Sequence, residues 1–214
     1  MNFQRQKKTK NIFYLKEKWC LILVCGMICE EEVCYFFRTI YFSFWEKFEI
    51  LNSINGQINL FLCLGKLYFS TERSKPYETA SCKVLNIDNA YSYEGYNSDF
   101  GPLTLNFVHK FIKEVNSMMG KYQQVIHHCN PNYRHEANGS FLMGSYLIIS
   151  KKWSVDQVKE AFGASYLSRL RPFRDAGIGP DDFPLTVIDC LKGIDRAVKL
   201  NWYSEANFDC YGFE

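Results

Sequence analysis

The segment 98–120, SDFGPLTLNFVHKFIKEVNSMMG, constrains the fold more than any other part of the chain. Its apolar residues recur at steps of three and four, which places them on one wide face of a helix. Pro102 stands near its start and Gly120 just past its predicted end, as is usual for helix boundaries. The spacing therefore predicts an amphipathic helix whose buried face carries Leu103, Phe107, Val108, Phe111, Ile112, Val115, Met118 and Met119.

Shorter patterns on either side of this helix complete an α/β layer. KLYFST (66–71) and YQQVIHH (122–128) are typical of strands, and a loop at 128–135 leads from the second strand to a buried helix. Ser154 and Gln157 have capping-box spacing at the start of another helix. The pattern predicts an α/β fold, a central sheet flanked by helices, with helices at 136–150, 154–162 and 185–200.

Residues 1–62 differ in composition from the rest and show no clear periodicity, so we predict an irregular extension before a domain at 65–214. The apolar run 19–29 follows several basic residues but is shorter than the roughly 20 residues of a spanning helix, so we predict no membrane partner. A membrane-associating leader at 1–34 stays an alternative. The composition would also suit a wrongly translated non-coding stretch.

The nine cysteines form an odd, unevenly spaced set, which favours free thiols in a reducing compartment. Cys20, Cys25, Cys29 and Cys34 lack the tight pair that a zinc site normally contains, so we predict no metal and no cofactor. The formal net charge of +2 also excludes the strongly basic footprint of a nucleic-acid-binding domain.

The stretch IHHCNPNYRHEAN (126–138) resembles the loop of cysteine phosphatases, which has His-Cys, five residues and then Arg. Four residues separate Cys129 from Arg134, one too few, and the correct spacing from Arg134 falls on His128, with His127 before it. Pro131 removes one of the backbone amides that would bind phosphate. We therefore predict a degenerate phosphate loop at His127, His128 and Arg134, with Cys129 an inert neighbour.

The segment CLKGIDR (190–196) has the full Cys-to-Arg spacing, between Cys190 and Arg196. Asp189 precedes the thiol and would raise its pKa, and the segment keeps helical periodicity, which excludes a loop. A self-sufficient cysteine phosphatase using Cys190 or Cys129 is retained as the alternative function.

Five segments taken together resemble the N-terminal domain of dual-specificity protein phosphatases of the cell division cycle fourteen type. The similarity covers about residues 65–214, and its segments are LYFST (67–71), DFGPLTL (99–105), RHEANGSFLMGSYLIIS (134–150), RPFRDAGIG (171–179) and LTVIDCLKGI (185–194). The resemblance implies a catalytically silent phosphatase-like domain that precedes a catalytic domain with His-Cys-x5-Arg. The chain stops at Glu214, around where the inter-domain linker of that family begins, so we expect the catalytic half to be absent and this chain alone to be inactive.

The resemblance further implies a role in substrate recognition during cell-cycle control, in the nucleus and cytoplasm. The domain would shape an acidic groove for phosphoserine-proline sites followed by a basic residue. Asp175 matches the family motif, whereas the other candidates are acids near it in sequence: Asp181, Asp182, Glu205 and Glu214. Arg169, Arg171 and Arg174 would neutralise part of this field, and a solvated loop is the alternative interpretation of the acids.

Overall fold

The structure is a computed structural model, and it describes residues 60–210 and residue 212. The predicted extension up to residue 59, with Cys20, Cys25, Cys29 and Cys34, lies outside the described residues, and so does Glu214. None of the helices that the structure describes is long and apolar enough to cross a membrane.

Within the described residues, four strands form one sheet in the order β1-β2-β4-β3. The strands are β1 (Leu60–Leu64), β2 (Leu67–Ser70), β3 (Cys82–Leu85) and β4 (Gln124–His128). Strand β1 is antiparallel to β2 and joins it through a tight turn at Gly65, whose φ of 52° favours glycine. Strands β2 and β3 both run parallel to β4, so their carboxyl ends meet at one edge of the sheet.

The sequence did not predict two of these strands. Strand β3 lies in the segment after residue 71, where we predicted no element, and its four residues are too few to show a reliable alternation. Strand β1 begins at Leu60, so the sheet starts before the predicted domain boundary at 65. Strand β1 pairs with β2 from Leu60↔Ser70 to Leu64↔Leu67 and so covers the edge of the sheet that β2 would otherwise expose.

The helices agree with the predicted ones to within a few residues, except that the first begins at Leu105, after Pro102 and Leu103, which we predicted to lie within it. They are α1 (Leu105–Lys121), α2 (Tyr133–Lys151), α3 (Val155–Phe162), α4 (Ala164–Leu167) and α5 (Val187–Lys199). The predicted capping box at Ser154 and Gln157 is confirmed at the start of α3, and Thr186 and Asp189 form a second one before α5. The short helix α4 lies between the predicted helices at 154–162 and 185–200, in a segment where we predicted no element.

Helix α2 is the centre of the core, since its residues from Ala137 to Ile149 are all buried. A helix buried on every side must be covered by several elements, and α1, α3, α5 and β4 all contact it. Gly144 lets α5 approach closely, because a Cβ atom there would lie 2.6 Å from Leu191 Cδ1. The packing of α2 against α5 therefore depends on the missing side chain at this position.

We predict that Gly144→Ala lowers the free energy of unfolding by about 1–3 kcal/mol, because the added methyl group overpacks the contact with the fully buried Leu191. Urea-induced unfolding measures the change. Gly193→Ala on α5 is the matched control, since a Cβ there meets nothing within 4 Å. The control should be neutral or stabilising by up to about 1 kcal/mol. Equal effects of the two substitutions would contradict the close packing at Gly144.

Candidate functional site

The predicted phosphate loop lies at the carboxyl edge of the parallel strands, where α/β proteins commonly bind ligands. It is shorter than the predicted segment 128–135, because β4 ends at His128 and α2 already begins at Tyr133. The side chain of Asn132 accepts a hydrogen bond from the Arg134 amide at 2.9 Å and so starts the helix early. Arg134 thus lies in the first turn of α2.

A cavity of about 180 Å³ opens beside this loop, and Asp88 forms part of its wall together with Arg134, His135 and Asn138. The buried Asp88 follows β3 and accepts a hydrogen bond from the Asn130 amide, with an N–O distance of 2.7 Å. Its carboxylate also lies 3.6 Å from Nδ1 of His135. The Asp88 carboxylate therefore accepts the hydrogen bond that the Asn130 amide would otherwise donate to a bound anion.

The other loop amides are also engaged within the protein. The Cys129 amide donates to the Ser70 carbonyl at 3.0 Å, and the Asn132 amide donates to the Asn130 carbonyl at 2.7 Å. Pro131 has no amide hydrogen. A phosphate cradle needs several free amides that point at one anion, and residues 129–132 offer none.

The two histidines of the degenerate loop are buried on opposite faces of β4. Nδ1 of His127 lies 3.3 Å from the Leu85 carbonyl, and its ring packs against Phe111 with the ring centroids 4.8 Å apart. Nδ1 of His128, the residue with nucleophile spacing to Arg134, lies 3.4 Å from Ser70 Oγ. Both imidazoles are part of the packed sheet rather than of the cavity.

Cys129 is fully buried, and a Cβ at Gly139 of α2 would lie 2.9 Å from its sulfur. Burial, and then the nearby charge of Asp88, raises the pKa of the Cys129 thiol well above its ordinary value. A protonated thiol enclosed by a helix is not an effective nucleophile. The structure therefore removes Cys129 from any reaction with a solvent-borne phosphate.

Cys190 is the fourth residue of α5, within the helix that the periodicity predicts. Burial raises the pKa of its thiol to about 11, and the charge of Asp189 adds to this effect. Asp189 itself caps the helix by accepting hydrogen bonds from Thr186. The exposed Arg196 lies six helical steps after Cys190, which separates the two residues by about 9 Å of rise and a third of a turn. The two side chains therefore do not converge on one phosphate.

Three of the predicted groove acids share one loop, 174–184. The backbone pairing of Phe173 with Leu185 closes it, and that of Arg174 with Phe100 joins it to the segment before α1. Asp175 and Asp182 are exposed, and Asp181 is half-buried. The Phe100 ring packs 5.4 Å from that of Phe173 and 5.2 Å from that of Tyr133, centroid to centroid. The loop that carries the acids therefore adjoins the start of α2, beside the degenerate phosphate loop.

The arginines around this loop interact with rings and carbonyls instead of with its acids. The guanidinium of Arg171 lies 4.7 Å from the centre of the Tyr133 ring, and that of Arg169 lies 5.5 Å from the Tyr166 ring. Arg174 Nη2 donates to the Gly179 carbonyl at 3.1 Å. Within the part of the chain that the structure describes, the loop acids form no ion pair with these arginines.

Glu205 lies apart from the three aspartates. Its carboxylate accepts hydrogen bonds of 3.2 Å from Asn116 and from Ser150, near the carboxyl end of α2. About 25 Å of helix separates Ser150 from the start of α2. These bonds, with the contact of 3.0 Å between His109 Nδ1 and the Tyr203 hydroxyl, hold the C-terminal segment against α1 and α2.

Sequence reasoning missed Asp88, His135 and Asn138 as residues of the cavity wall. Asn138 accepts a hydrogen bond from the Leu103 amide at 3.0 Å and donates to the Gly101 carbonyl at 3.3 Å, which fixes the segment before α1. The position of Asp88 just after a parallel strand would have indicated the site, but β3 itself had not been predicted.

Comparison with known proteins gives one consistent result. The sequence model of the N-terminal half of dual specificity protein phosphatases matches residues 62–197. Dual specificity protein phosphatase CDC14A of Mus musculus is 31% identical over 153 residues, which cover 70% of this chain and 25% of the relative. CDC14AB of Danio rerio is 33% identical over 153 residues, with the same coverage of 70% and 25%.

A more distant relative is the tyrosine-protein phosphatase CDC14 of Saccharomyces cerevisiae, 24% identical over 154 residues, which are 70% of this chain and 28% of the relative. The chain thus spans about a quarter of the length of the curated relatives that it matches.

We predict that the chain alone does not hydrolyse an aryl phosphate such as p-nitrophenyl phosphate. Both candidate thiols have raised pKa values and lack an amide cradle. Steady-state turnover measured with the purified chain should equal the uncatalysed rate. Activity that is lost in Cys190→Ser or in Cys129→Ser would establish the alternative of a self-sufficient cysteine phosphatase.

We predict that His127 makes folding sensitive to acid. Burial lowers the pKa of its imidazole to about 4 from an ordinary value of 6.5. Below pH 6.5 His127 is protonated in the unfolded chain but stays neutral in the folded chain. The contribution of neutral His127 to the free energy of unfolding is therefore fully present above pH 6.5 and is lost as the pH falls towards 4. The loss in the free energy of unfolding amounts to roughly 3 kcal/mol.

The measurement is the free energy of unfolding in urea between pH 4 and pH 7, for the wild-type chain and for His127→Asn. Asn is expected to retain a hydrogen bond to the Leu85 carbonyl but cannot titrate. The variant should lose less stability than the wild-type chain over this range. Parallel curves for the two proteins would show that His127 does not contribute.

Proposed function

Because this chain belongs to the family formed by the N-terminal half of dual specificity protein phosphatases, we propose that it recognises phosphoprotein substrates for a catalytic phosphatase half. The observation that carries the proposal is the loop at 129–132, whose amides are all engaged internally or absent. A phosphatase-like domain that cannot hold phosphate is suited to binding the rest of a substrate.

The recognition surface that we propose is the loop 174–184 with Asp175, Asp181 and Asp182. Asp175 accepts a hydrogen bond from the Gly177 amide at 2.9 Å, which leaves its second oxygen for a ligand. The neighbouring arginines are occupied by rings and carbonyls, so they do not cancel these carboxylates by direct pairing. A Lys or Arg that follows a phosphoserine-proline site would be the complementary group.

Glu205 is not part of this proposed surface, because its carboxylate holds the C-terminal segment. The degenerate loop acts in the proposal only as a neighbour that supports the start of α2. Arg134 and Tyr133 would then line the side of the groove opposite the acids, with the Arg134 guanidinium 5.8 Å from the Phe100 ring centre.

Energetics set the expected strength of this recognition. An exposed ion pair contributes about 0.2–1 kcal/mol, so three acids alone give weak binding that salt reduces further. A catalytic half packed over the groove would exclude water and strengthen each pair. We therefore propose that the two halves form one substrate groove in the complete enzyme, which acts in the nucleus and cytoplasm on cell-cycle phosphoproteins.

We predict that Asp175→Asn, Asp181→Asn and Asp182→Asn together lower kcat/KM for a phosphoserine-proline peptide with a downstream lysine by about tenfold. The assay uses this chain fused to a catalytic half from the family. Turnover of p-nitrophenyl phosphate should be unchanged, because this small substrate does not reach the acidic loop.

A matched control removes three acidic charges elsewhere, with Asp156→Asn, Glu160→Gln and Asp195→Asn on α3 and α5, of which two are exposed and Asp195 is half-buried, as Asp181 is. It should leave both substrates unaffected. Equal losses on the peptide and on the aryl phosphate would mean that the loop acids support the fold. A loss that is the same for peptides with and without the lysine would also contradict the groove.

A further inference from the structure

A basic depression lies on the outer face of α1, away from the degenerate phosphate loop. It measures about 540 Å³, is open to solvent, and is lined by Lys83, Lys110, Lys113, Glu114, Ser117, Met118, Lys121 and Tyr122. Four lysines and one glutamate leave a local charge of about +3 on a chain whose net charge is only +2. We call this surface the lysine depression.

The helical period of α1 produces this surface. The buried face of the helix carries Val108, Phe111, Ile112 and Val115, so the opposite face presents Lys113, Ser117 and Lys121 at successive steps of four residues. Strand β3 adds Lys83 at the edge of the sheet, beside Tyr122. Two elements remote in sequence thus supply cations to one concave surface.

The lysines of the depression are neutralised to different extents. Lys83 pairs with Glu78 at 2.6 Å, and Glu114 accepts a hydrogen bond from the Tyr91 hydroxyl at 3.3 Å. Lys113 and Lys121 are exposed and form no ion pair within residues 60–210. Burial and then the charge of Lys113 lower the pKa of His109, which shows that the field of this lysine extends into the protein.

We propose that the lysine depression is a docking site for an acidic segment of a partner protein, with carboxylates on Lys113 and Lys121 and an apolar side chain between them. Met118 and Tyr122 are half-buried and supply the apolar part of the surface. The volume holds only a few side chains, which suits a short peptide. A nucleic acid would need a longer track of cations, and a membrane would favour protruding apolar residues beside the lysines.

The site is separate from the proposed phosphopeptide groove. Lys121 ends α1 and precedes β4, whereas the acidic loop adjoins the opposite, carboxyl end of that strand. A partner with an acidic segment would therefore occupy the domain together with a phosphorylated substrate. This separation allows the docking site and the groove to be tested independently.

The test uses the full chain of 214 residues and a short fluorescein-labelled peptide in which Glu and Asp alternate with Leu and Phe. Fluorescence anisotropy should show binding that weakens as salt rises. Lys113→Gln with Lys121→Gln should weaken binding about tenfold. The control pair Lys192→Gln and Lys199→Gln removes the same charge from α5 and should leave the affinity unchanged.

Circular dichroism melting of each variant verifies that the fold is retained. Three results would overturn the proposal. One is equal binding of a peptide with Gln and Asn in place of its acids. Another is an equal loss of affinity in the two pairs of variants. The third is tighter, Lys113-dependent binding to phosphatidylserine vesicles or to a single-stranded oligonucleotide, which would assign the surface to a different class of partner.

Discussion

The burial of α2 on all sides is the constraint on which the rest of the described structure depends. Thirteen consecutive residues, Ala137 to Ile149, lie in the core, so other elements must cover the helix around its whole circumference. Close approach is achieved with small residues, since Gly139 faces the sulfur of Cys129 and Gly144 faces Leu191. These two contacts fix the loop after β4 on one side and α5 on the other. The start of α2, and with it the cavity beside Asp88, is positioned as a consequence.

The same packing is the physical reason to expect no catalysis at the phosphatase-like loop. A catalytic thiolate needs a lowered pKa and free amides around its phosphate, whereas the contact with Gly139 holds Cys129 in the core and burial raises its pKa. Asp88 also occupies one of the loop amides, because its carboxylate accepts a hydrogen bond from the Asn130 amide. A carboxylate in this place repels an incoming anion and also stabilises the loop, so the site is closed by structure and charge together.

The strength of each sequence signal decided how well it predicted the fold. The apolar face of α1 extends over four turns, and the capping box before α3 combines two specific residues at fixed spacing, so both were located within a few residues. Strand β3 has four residues and was missed, and with it the role of Asp88, which depends on the end of that strand. The early start of α2 depends on the cap by Asn132, which shortened the predicted loop. Local sequence patterns thus predicted most of the helices and strands, whereas the residues of the cavity wall depend on pairing between segments that are distant in the sequence.

Charges of opposite sign lie near the two ends of the parallel strands, which the overall composition does not indicate. The net charge of +2 is small, yet the acidic loop 174–184 adjoins the carboxyl ends of the parallel strands and the lysine depression lies towards their amino ends. Strand β4 alone extends about 16 Å between them, roughly twice the distance over which physiological salt screens exposed charges. The two fields therefore act almost independently. Neutralising one end would leave the other unchanged, because neither surface depends on the other for its charge.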